Sequence, residues 1–218
     1  MKDENYIARL EGIIRQVLAP VKDIPFNLVI ETLTSRKVFP FDEQNPVHAG
    51  MLAALEKAAS DAAANIKSEG GMKKARPNEV GNEIERFVRD ALGHNGLSPE
   101  TPRGSSGRAK SSGYPDLKFS WNGTPFYLEC KTYSPKNTDS SYRSFFFSPS
   151  TDFKVIEDAV HLLLSYETEK RKGAWFARHY KIISLEYLSL DLKHEFNSNN
   201  TRLYSNQHGA RTLAEADC

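Results

Sequence analysis

The sequence predicts a mixed α/β (α+β) fold, in which a mixed central β-sheet is flanked by helices and preceded by an N-terminal helical region. Two observations lead to this prediction. Apolar residues recur at helical spacing through most of residues 1–77. From residue 78 onward, the patterns predict the order helix, strand, strand, strand, helix, strand. We therefore divide the chain into a helical region, residues 1–77, and a core, residues 78–218, which ends in a polar segment.

The composition is that of an ordinary globular protein. At 218 residues the chain is long enough for one domain with an appended helical part. A net charge of +1 gives no global signal for a polyanionic partner, so any nucleic-acid surface must be a local patch. The two cysteines, Cys130 and Cys218, form neither a disulfide framework nor a zinc motif. With no signal peptide or transmembrane run in the sequence, we expect a cytoplasmic protein that has no membrane partner.

The N-terminal region contains three apolar segments, over residues 7–18, 26–33 and 49–66. The first ends before Pro20, and the third is rich in alanine, which favours a helix. We expect these segments to pack against the core. A dimer interface or an arm that embraces DNA are the other roles open to them.

A further helix is predicted over residues 78–92, with Asn78 as its N-cap and Gly93 just past its end. Glu83 and Glu85 lie on opposite flanks of its apolar stripe, because successive residues of a helix turn by about 100°. Periodicity therefore leaves both glutamates open as acids of a functional site. The predicted buried stripe comprises Val80, Ile84, Phe87, Val88, Ala91 and Leu92.

Residues 113–134 predict a β-hairpin. Asn122 and Gly123 favour a two-residue turn of type I′, in which both positions need a positive φ. One step beyond the last apolar pair of this hairpin, Asp116 is placed opposite Glu129. The apolar pairs that the turn predicts are Trp121 with Thr124, Phe119 with Phe126, and Leu117 with Leu128.

Asp116 and Glu129 place two like charges on the face opposite the apolar pairs. Their Cβ atoms are expected about 4.5–5.5 Å apart, which is unfavourable unless a positive group neutralises the charges. Lys131 returns to the same face of the strand. Two carboxylates and an ammonium in one patch favour a hard cation, and Mg²⁺ is the first choice because it takes oxygen ligands. The alternative is a solvated strand face with incidental charges.

The motif formed by Pro115-Asp116, twelve intervening residues and Glu129-Cys130-Lys131 resembles the PD-(D/E)XK motif of metal-dependent nucleases. The resemblance covers about residues 78–186 and is greatest to type II restriction endonucleases, whose αβββαβ core has the element order predicted above. It implies that Asp116, Glu129 and the backbone carbonyl of Cys130 bind Mg²⁺, for which Mn²⁺ can substitute. It also implies that Lys131 positions or deprotonates the attacking water and stabilises charge on the phosphate.

Nucleases of this family often carry a helix acid in a Gly-x-x-x-Glu pattern before the hairpin. Gly81 and Glu85 match this pattern, so the resemblance favours Glu85 over Glu83. Glu85 would then be a fourth catalytic residue, which acts on a metal or water indirectly. The alternative is a surface glutamate that pairs with Arg89 at the i+4 position.

After the hairpin, we predict a short strand over residues 142–148 and a helix that begins at Thr151 or Asp152 and finishes in the charged stretch of residues 167–172. Gly173 follows the charged end of this helix, and a strand is predicted over residues 174–185. The helix is predicted from the apolar positions Val155, Ile156, Ala159, Val160, Leu163, Leu164 and Tyr166.

Residues outside the acidic patch are predicted to contact DNA. The loop of residues 98–113 is rich in Ser, Gly and Pro and directly precedes the patch, so its cations and hydroxyls can reach a phosphate backbone. The tail carries amide and guanidinium groups of the kind that recognise base edges. A solvated loop and an irregular tail are the alternatives. The predicted DNA-contacting residues are Arg103, Ser106, Arg108, Lys110, Lys136, Arg143, Asn199, Asn200 and Arg202.

The resemblance implies a Mg²⁺-dependent type II restriction endonuclease that cuts double-stranded DNA at a short sequence and leaves 5′-phosphates. The size of the chain and its lack of NTPase motifs favour a homodimer that acts on a palindrome. One alternative is a repair or junction-resolving nuclease of the same fold. The other is a non-catalytic nucleic-acid-binding protein that retains the fold, although the intact set of Asp, Glu and Lys argues against it.

Overall fold

The computed structural model describes residues 4–19, 21–108, 110, 112–137, 145, 147 and 149–193. The chain divides into two compact units. One runs from Pro25 to Ser189, and the other is formed by the two ends of the chain, up to Ile24 and from Leu190. The sequence-based boundary at residue 77 stays a prediction. Within the described ranges, no helix is both long enough and apolar enough to cross a membrane.

The N-terminal region is mainly helical, as predicted, and it also contains two short strands. Asn45 caps the third helix by accepting a hydrogen bond from the Val47 N–H at 2.9 Å. A proline occupies the first turn of that helix, where its missing N–H costs little. The elements are α1 (Glu4–Val17), β1 (Val21–Pro25), α2 (Phe26–Thr34), β2 (Val38–Phe39) and α3 (Pro46–Ser68).

Helix α4 (Pro77–His94) carries the predicted apolar stripe into the core, where each of its six residues is at most 2% exposed. Both predicted ends were wrong. The N-cap is Arg76 rather than Asn78, because the proline that follows Arg76 suits the first helical position. Gly93 remains inside the helix. The residue with the positive φ that is common after a helix lies further along, at Gly96, where φ is 80°.

Strands β3 (Leu117–Trp121) and β4 (Thr124–Tyr133) form the predicted hairpin. The φ values of Asn122 and Gly123 are 48° and 81°, as a type I′ turn requires. The register is confirmed for all three predicted apolar pairs. The ladder ends where Leu117 meets Leu128, so Asp116 lies one step beyond the strand.

The helix predicted from Thr151 or Asp152 into the charged stretch of residues 167–172 is wrong. Most of its apolar positions belong to β5 (Ala159–Arg171), which pairs with β4 on one side and with β6 (Ala174–Ser184) on the other. Strand β5 is also buried on both faces until its charged last residues, so its sequence from Ala159 to Tyr166 is mostly apolar and lacks alternation. Thr151 and Asp152 therefore cap no helix. The missed signal was the turn at Lys172 and Gly173, whose φ values are 47° and 84°.

The strand predicted over residues 174–185 is confirmed as β6. The strand predicted over residues 142–148 falls mostly outside the described residues. Phe145 and Phe147 are the described members of that stretch, and neither belongs to a strand. Before it, Pro135–Asn137 forms a single turn of 3₁₀ helix.

The core sheet has five strands in the order β2-β5-β4-β3, and β6 also pairs with β5. The pairs β2–β5 and β4–β5 are parallel, and the other two are antiparallel. Strand β1 pairs with β7 (Ser189–Leu192) in a separate two-stranded sheet. Helices α3 and α4 pack on the core sheet, where β4 contributes Phe126, Leu128 and Cys130 to the main hydrophobic core. This mixed sheet flanked by helices confirms the predicted fold class.

Candidate active site

The acidic patch predicted from the sequence forms at the start of β3 and along β4. Glu129 and Lys131 are two residues apart on β4, so they share the face that points away from the main core. Asp116 directly precedes β3, and its Oδ2 accepts a hydrogen bond from the Cys130 N–H at 2.9 Å. The Asp116 carboxylate is thereby fixed to the backbone between Glu129 and Lys131. The structure brings these three charged side chains together.

Glu129 is ion-paired through one oxygen and unpaired through the other. Its Oε1 lies 2.5 Å from the Nζ of Lys131, and the residue is 4% exposed. Its Oε2 is buried and has no hydrogen-bond partner among the described residues. Burial without a partner is costly, because the lost contact with water is not replaced. This orphaned oxygen is available to a ligand.

The carboxylates of the patch destabilise each other's charged forms. Burial, followed by the charge of Asp116, raises the pKa of Glu129 from 4.5 to about 7, although Lys131 acts in the opposite direction. Burial also raises the pKa of Asp116, against the effects of the Cys130 N–H and of Lys131. Burial disfavours the charged form of Lys131, but the Glu129 carboxylate outweighs it, and the pKa of Lys131 is raised. Lys131 is therefore an ammonium at neutral pH.

The donor set fits a divalent cation. The carboxylates of Asp116 and Glu129 repel each other, and Glu129, which is buried, presents an unpaired hard oxygen of the kind that Mg²⁺ binds. The Cys130 carbonyl belongs to the same stretch of β4. The described part of the chain contains no metal-binding group of three or more His, Cys, Asp or Glu side chains. A cation held here would therefore be bound by two carboxylates, backbone oxygen and water, and Mg²⁺ in proteins usually keeps several waters.

The two candidate helix acids have different surroundings. The charge of Glu85 contributes to the raised pKa of Asp116, so Glu85 lies near the patch. Glu85 also pairs with Arg89 at 2.6 Å, which is the contact expected from the alternative interpretation. Glu83 lies 3.9 Å from the Nζ of Lys74. The structure thus brings Glu85 to the patch, and its catalytic role stays a prediction.

Lys154 is a member of the site that the sequence did not reveal. Its side chain is buried, and its Nζ donates hydrogen bonds to the carbonyl oxygens of Gly113 at 2.7 Å and Pro115 at 2.9 Å. These residues directly precede Asp116. Burial lowers the pKa of Lys154, and the nearby carboxylates partly offset this effect. No motif marks Lys154, which had been placed in the incorrectly predicted helix.

An uncharged aromatic cluster lies beside the patch. The hydroxyl of Tyr114 and the Nδ1 of His161 are 2.6 Å apart, and the two rings stack. Burial lowers the pKa of His161 to about 3, so this histidine is neutral at physiological pH. Phe26 and Tyr127 pack their rings against His161 at centroid distances of 5.5 Å and 5.0 Å. These neutral rings keep water from that side of the patch, which is consistent with the burial that raises the carboxylate pKa values.

Comparison with known proteins identifies the family. A model of the type II restriction enzyme MjaV family matches residues 20–207. The chain belongs to this family. The type II restriction enzyme MjaV of Methanocaldococcus jannaschii is 37% identical over 219 residues, which cover 94% of this chain and 95% of that protein. No solved structure matches the chain.

Membership of the MjaV family confirms the resemblance to type II restriction endonucleases that was based on residues 78–186. The family match is longer than that resemblance, because it begins at residue 20. It therefore includes α2 and α3, for which the sequence motif gave no functional context. The match also contains the whole patch from Asp116 to Lys131.

The loop that precedes the patch, which we expected to contact DNA, is ordered by contacts within the protein. Asp152 accepts hydrogen bonds from the hydroxyl of Ser105 at 3.2 Å and from the N–H of Ser106 at 2.8 Å. Lys110 donates to the carbonyl of Asp152 at 2.7 Å and to the hydroxyl of Ser150 at 3.2 Å. Lys110 is therefore already engaged within the protein, whereas Arg103, Ser106 and Arg108 are exposed.

The other predicted DNA-contacting residues fall into two groups. Those exposed on the described surface are Arg103, Ser106, Arg108 and Lys136. Those outside the described residues are Arg143, Asn199, Asn200 and Arg202. DNA contact by either group stays a prediction.

Proposed function

We propose that this member of the MjaV family is a Mg²⁺-dependent endonuclease that hydrolyses phosphodiester bonds of double-stranded DNA at a short specific sequence and leaves 5′-phosphates. The observation that carries the proposal is the pair formed by the partly buried Asp116 and the buried Glu129, which lies beside the Lys131 ammonium and has one unpaired carboxylate oxygen. We propose that Mn²⁺ can replace Mg²⁺, because it binds to the same oxygen ligands. A cytoplasmic location suits an enzyme that acts on DNA inside the cell.

The side chains of the patch have distinct roles in this proposal. Asp116 and Glu129, with the Cys130 carbonyl, hold the cation. When bound, Mg²⁺ polarises the scissile phosphate and lowers the pKa of a coordinated water. The raised pKa of Lys131 suits an ammonium that holds the attacking water and stabilises charge on the phosphate, rather than a base that takes up a proton. Glu85 acts from the edge of the patch by orienting a water.

The exposed cations near the patch are proposed to contact the DNA backbone. Arg103 and Arg108 belong to the loop that Asp152 fastens, so they need little ordering when DNA binds. Lys136 follows β4 on the surface. Base recognition by Asn199, Asn200 and Arg202 completes this proposal, since amide and guanidinium groups match the edges of adenine and guanine.

We also propose that the active form is a homodimer, because a two-fold symmetric pair suits a palindromic site. Helix α1 supports this proposal with an unusually apolar surface. Light scattering of the DNA-free protein should give a mass near twice 24.5 kDa, and a monomer at micromolar concentration would contradict the proposal. The large apolar side chains of α1 and of the residue that follows it, between 37% and 49% exposed, are Tyr6, Ile7, Leu10, Ile13, Ile14, Val17 and, just beyond the helix, Leu18.

The function is tested by digesting unmethylated phage DNA with purified protein and Mg²⁺, beside the Asp116→Ala variant and an EDTA control. Discrete fragments that are absent from both controls are expected. A smear would favour a non-specific nuclease over a restriction enzyme. A lack of cleavage on duplex, flap and junction substrates alike would favour the non-catalytic binding protein.

A further inference from the structure

Lys154 has an unusual position for a lysine. It is 3% exposed and belongs to the irregular segment that precedes β5, yet its ammonium reaches the turn before Asp116. Burying an ammonium is costly unless good partners replace water. Its two hydrogen-bond acceptors are the carbonyls of Gly113 and Pro115, and among the described residues it has no carboxylate within ion-pair distance.

The two carbonyls that Lys154 binds belong to the turn that leads into Asp116. Gly113 and Pro115 flank Tyr114, and the next residue is Asp116. A single ammonium therefore cross-links the turn of residues 113–115 to a segment 39 residues further along the chain. The Asp116 carboxylate is itself hydrogen-bonded to the Cys130 N–H. Asp116 is therefore held at its side chain by this bond and at its backbone by the turn that Lys154 binds.

We propose that Lys154 is a positioning residue, which fixes the turn of residues 113–115 and thereby holds Asp116 in place to bind the catalytic cation with Glu129. This inference rests on the proposed function, in which those two carboxylates are metal ligands. Lys154 itself touches neither the cation nor the substrate. It acts through the backbone segment that precedes Asp116.

Positioning and simple charge compensation predict opposite effects when Lys154 loses its ammonium. A nearby positive charge repels a divalent cation, so removing the charge alone would strengthen metal binding. Removing the two hydrogen bonds would let Asp116 move, and groups that orient a metal ligand typically change affinity by about 10- to 100-fold. The sign of the change therefore separates the two roles.

The test is a Mn²⁺ titration of the full-length protein without DNA, in which electron paramagnetic resonance measures free Mn²⁺. Lys154→Met keeps the apolar stem of the side chain and removes the ammonium. Lys118→Met is the matched control. Lys118 is a half-buried lysine on β3, the strand that follows Asp116, and it pairs with Glu157 rather than with the turn. Near-ultraviolet circular dichroism and a cooperative melt in EDTA establish that each variant folds.

We expect Mn²⁺ binding at least about tenfold weaker in folded Lys154→Met, and within about threefold of the unsubstituted protein in Lys118→Met. Raising Mn²⁺ by the same factor should restore cleavage by Lys154→Met. Equal or tighter Mn²⁺ binding in Lys154→Met would overturn the proposal, and so would loss of its fold, which would assign Lys154 to the core. If the unsubstituted protein binds no Mn²⁺, or Asp116→Asn binds it equally well, the proposed function itself fails.

Discussion

In the metal-free protein, raising the pH should lower the free energy of unfolding. Replacing Glu129 with Gln should remove a large part of this loss. Burial and the charge of Asp116 raise the pKa of Glu129 from 4.5 to about 7 in the folded state. Between these pH values the folded protein binds a proton that the unfolded chain releases. The resulting stabilisation is complete below pH 4.5 and is lost as the pH rises through about 7.

The magnitude follows from the size of the pKa change. From 4.5 to about 7 is about 2.5 units, and at about 1.36 kcal/mol per unit this corresponds to about 3 kcal/mol. In a protein of this length, each kcal/mol changes the melting temperature by about 2–4 °C. Glu129 is almost fully buried, so screening by solvent is small. Gln is uncharged at every pH and keeps an oxygen that can accept the hydrogen bond of Lys131.

Urea unfolding followed by circular dichroism in EDTA, at about pH 5 and about pH 8.5, measures this effect. Between these conditions the unsubstituted protein and Glu43→Gln, an exposed control, should lose about 2.5 kcal/mol more than Glu129→Gln. At the higher pH, Mg²⁺ should stabilise the first two proteins, because it binds the ionised carboxylates of the folded state. Equal pH dependence in Glu129→Gln and Glu43→Gln would show that Glu129 is not the group whose protonation stabilises the folded protein.

Five further substitutions test other residues of the protein. Lys131→Ala should lower the single-turnover cleavage rate by about 10³-fold and change DNA affinity, measured by gel shift in Ca²⁺, by less than about threefold; retained cleavage would contradict the assigned role. Glu85→Gln should slow cleavage by at least about tenfold, whereas Glu83→Gln should stay within about twofold, and the reverse order would exchange their roles. Gly71→Ala should lower the free energy of unfolding by about 2 kcal/mol or more, because φ is +86° and the new Cβ would lie 2.8 Å from a phenylalanine ring. Gly93→Ala, in α4 with open space around it, should be neutral or stabilise by up to about 1 kcal/mol, and melts of both variants decide this.

The hairpin could be predicted in detail because local chemistry determines it. Asn122 and Gly123 tolerate the positive φ that a type I′ turn needs, and a two-residue turn permits one register. Once the register is known, alternation along β4 places Glu129 and Lys131 on one face. The composition of the patch therefore followed from the sequence alone.

The elements that the sequence did not reveal depend on tertiary contacts. Strand β5 is buried on both faces through most of its length, so its apolar run carries no period that distinguishes it from a helix. The choice between Glu83 and Glu85 depends on which flank of α4 faces Asp116, and helical spacing is symmetric in that respect. Lys154 reaches the patch from a distant segment, and no spacing rule links it to Asp116.

The most direct test of the proposed metal site is to locate the cation in crystals grown with Mn²⁺, by its anomalous scattering. A peak is expected within about 2.5 Å of carboxylate oxygens from both Asp116 and Glu129. The peak should disappear in crystals of Asp116→Asn. A Mn²⁺ peak bound elsewhere, with these two carboxylates left unligated, would contradict the assignment of the patch as the metal site of the nuclease.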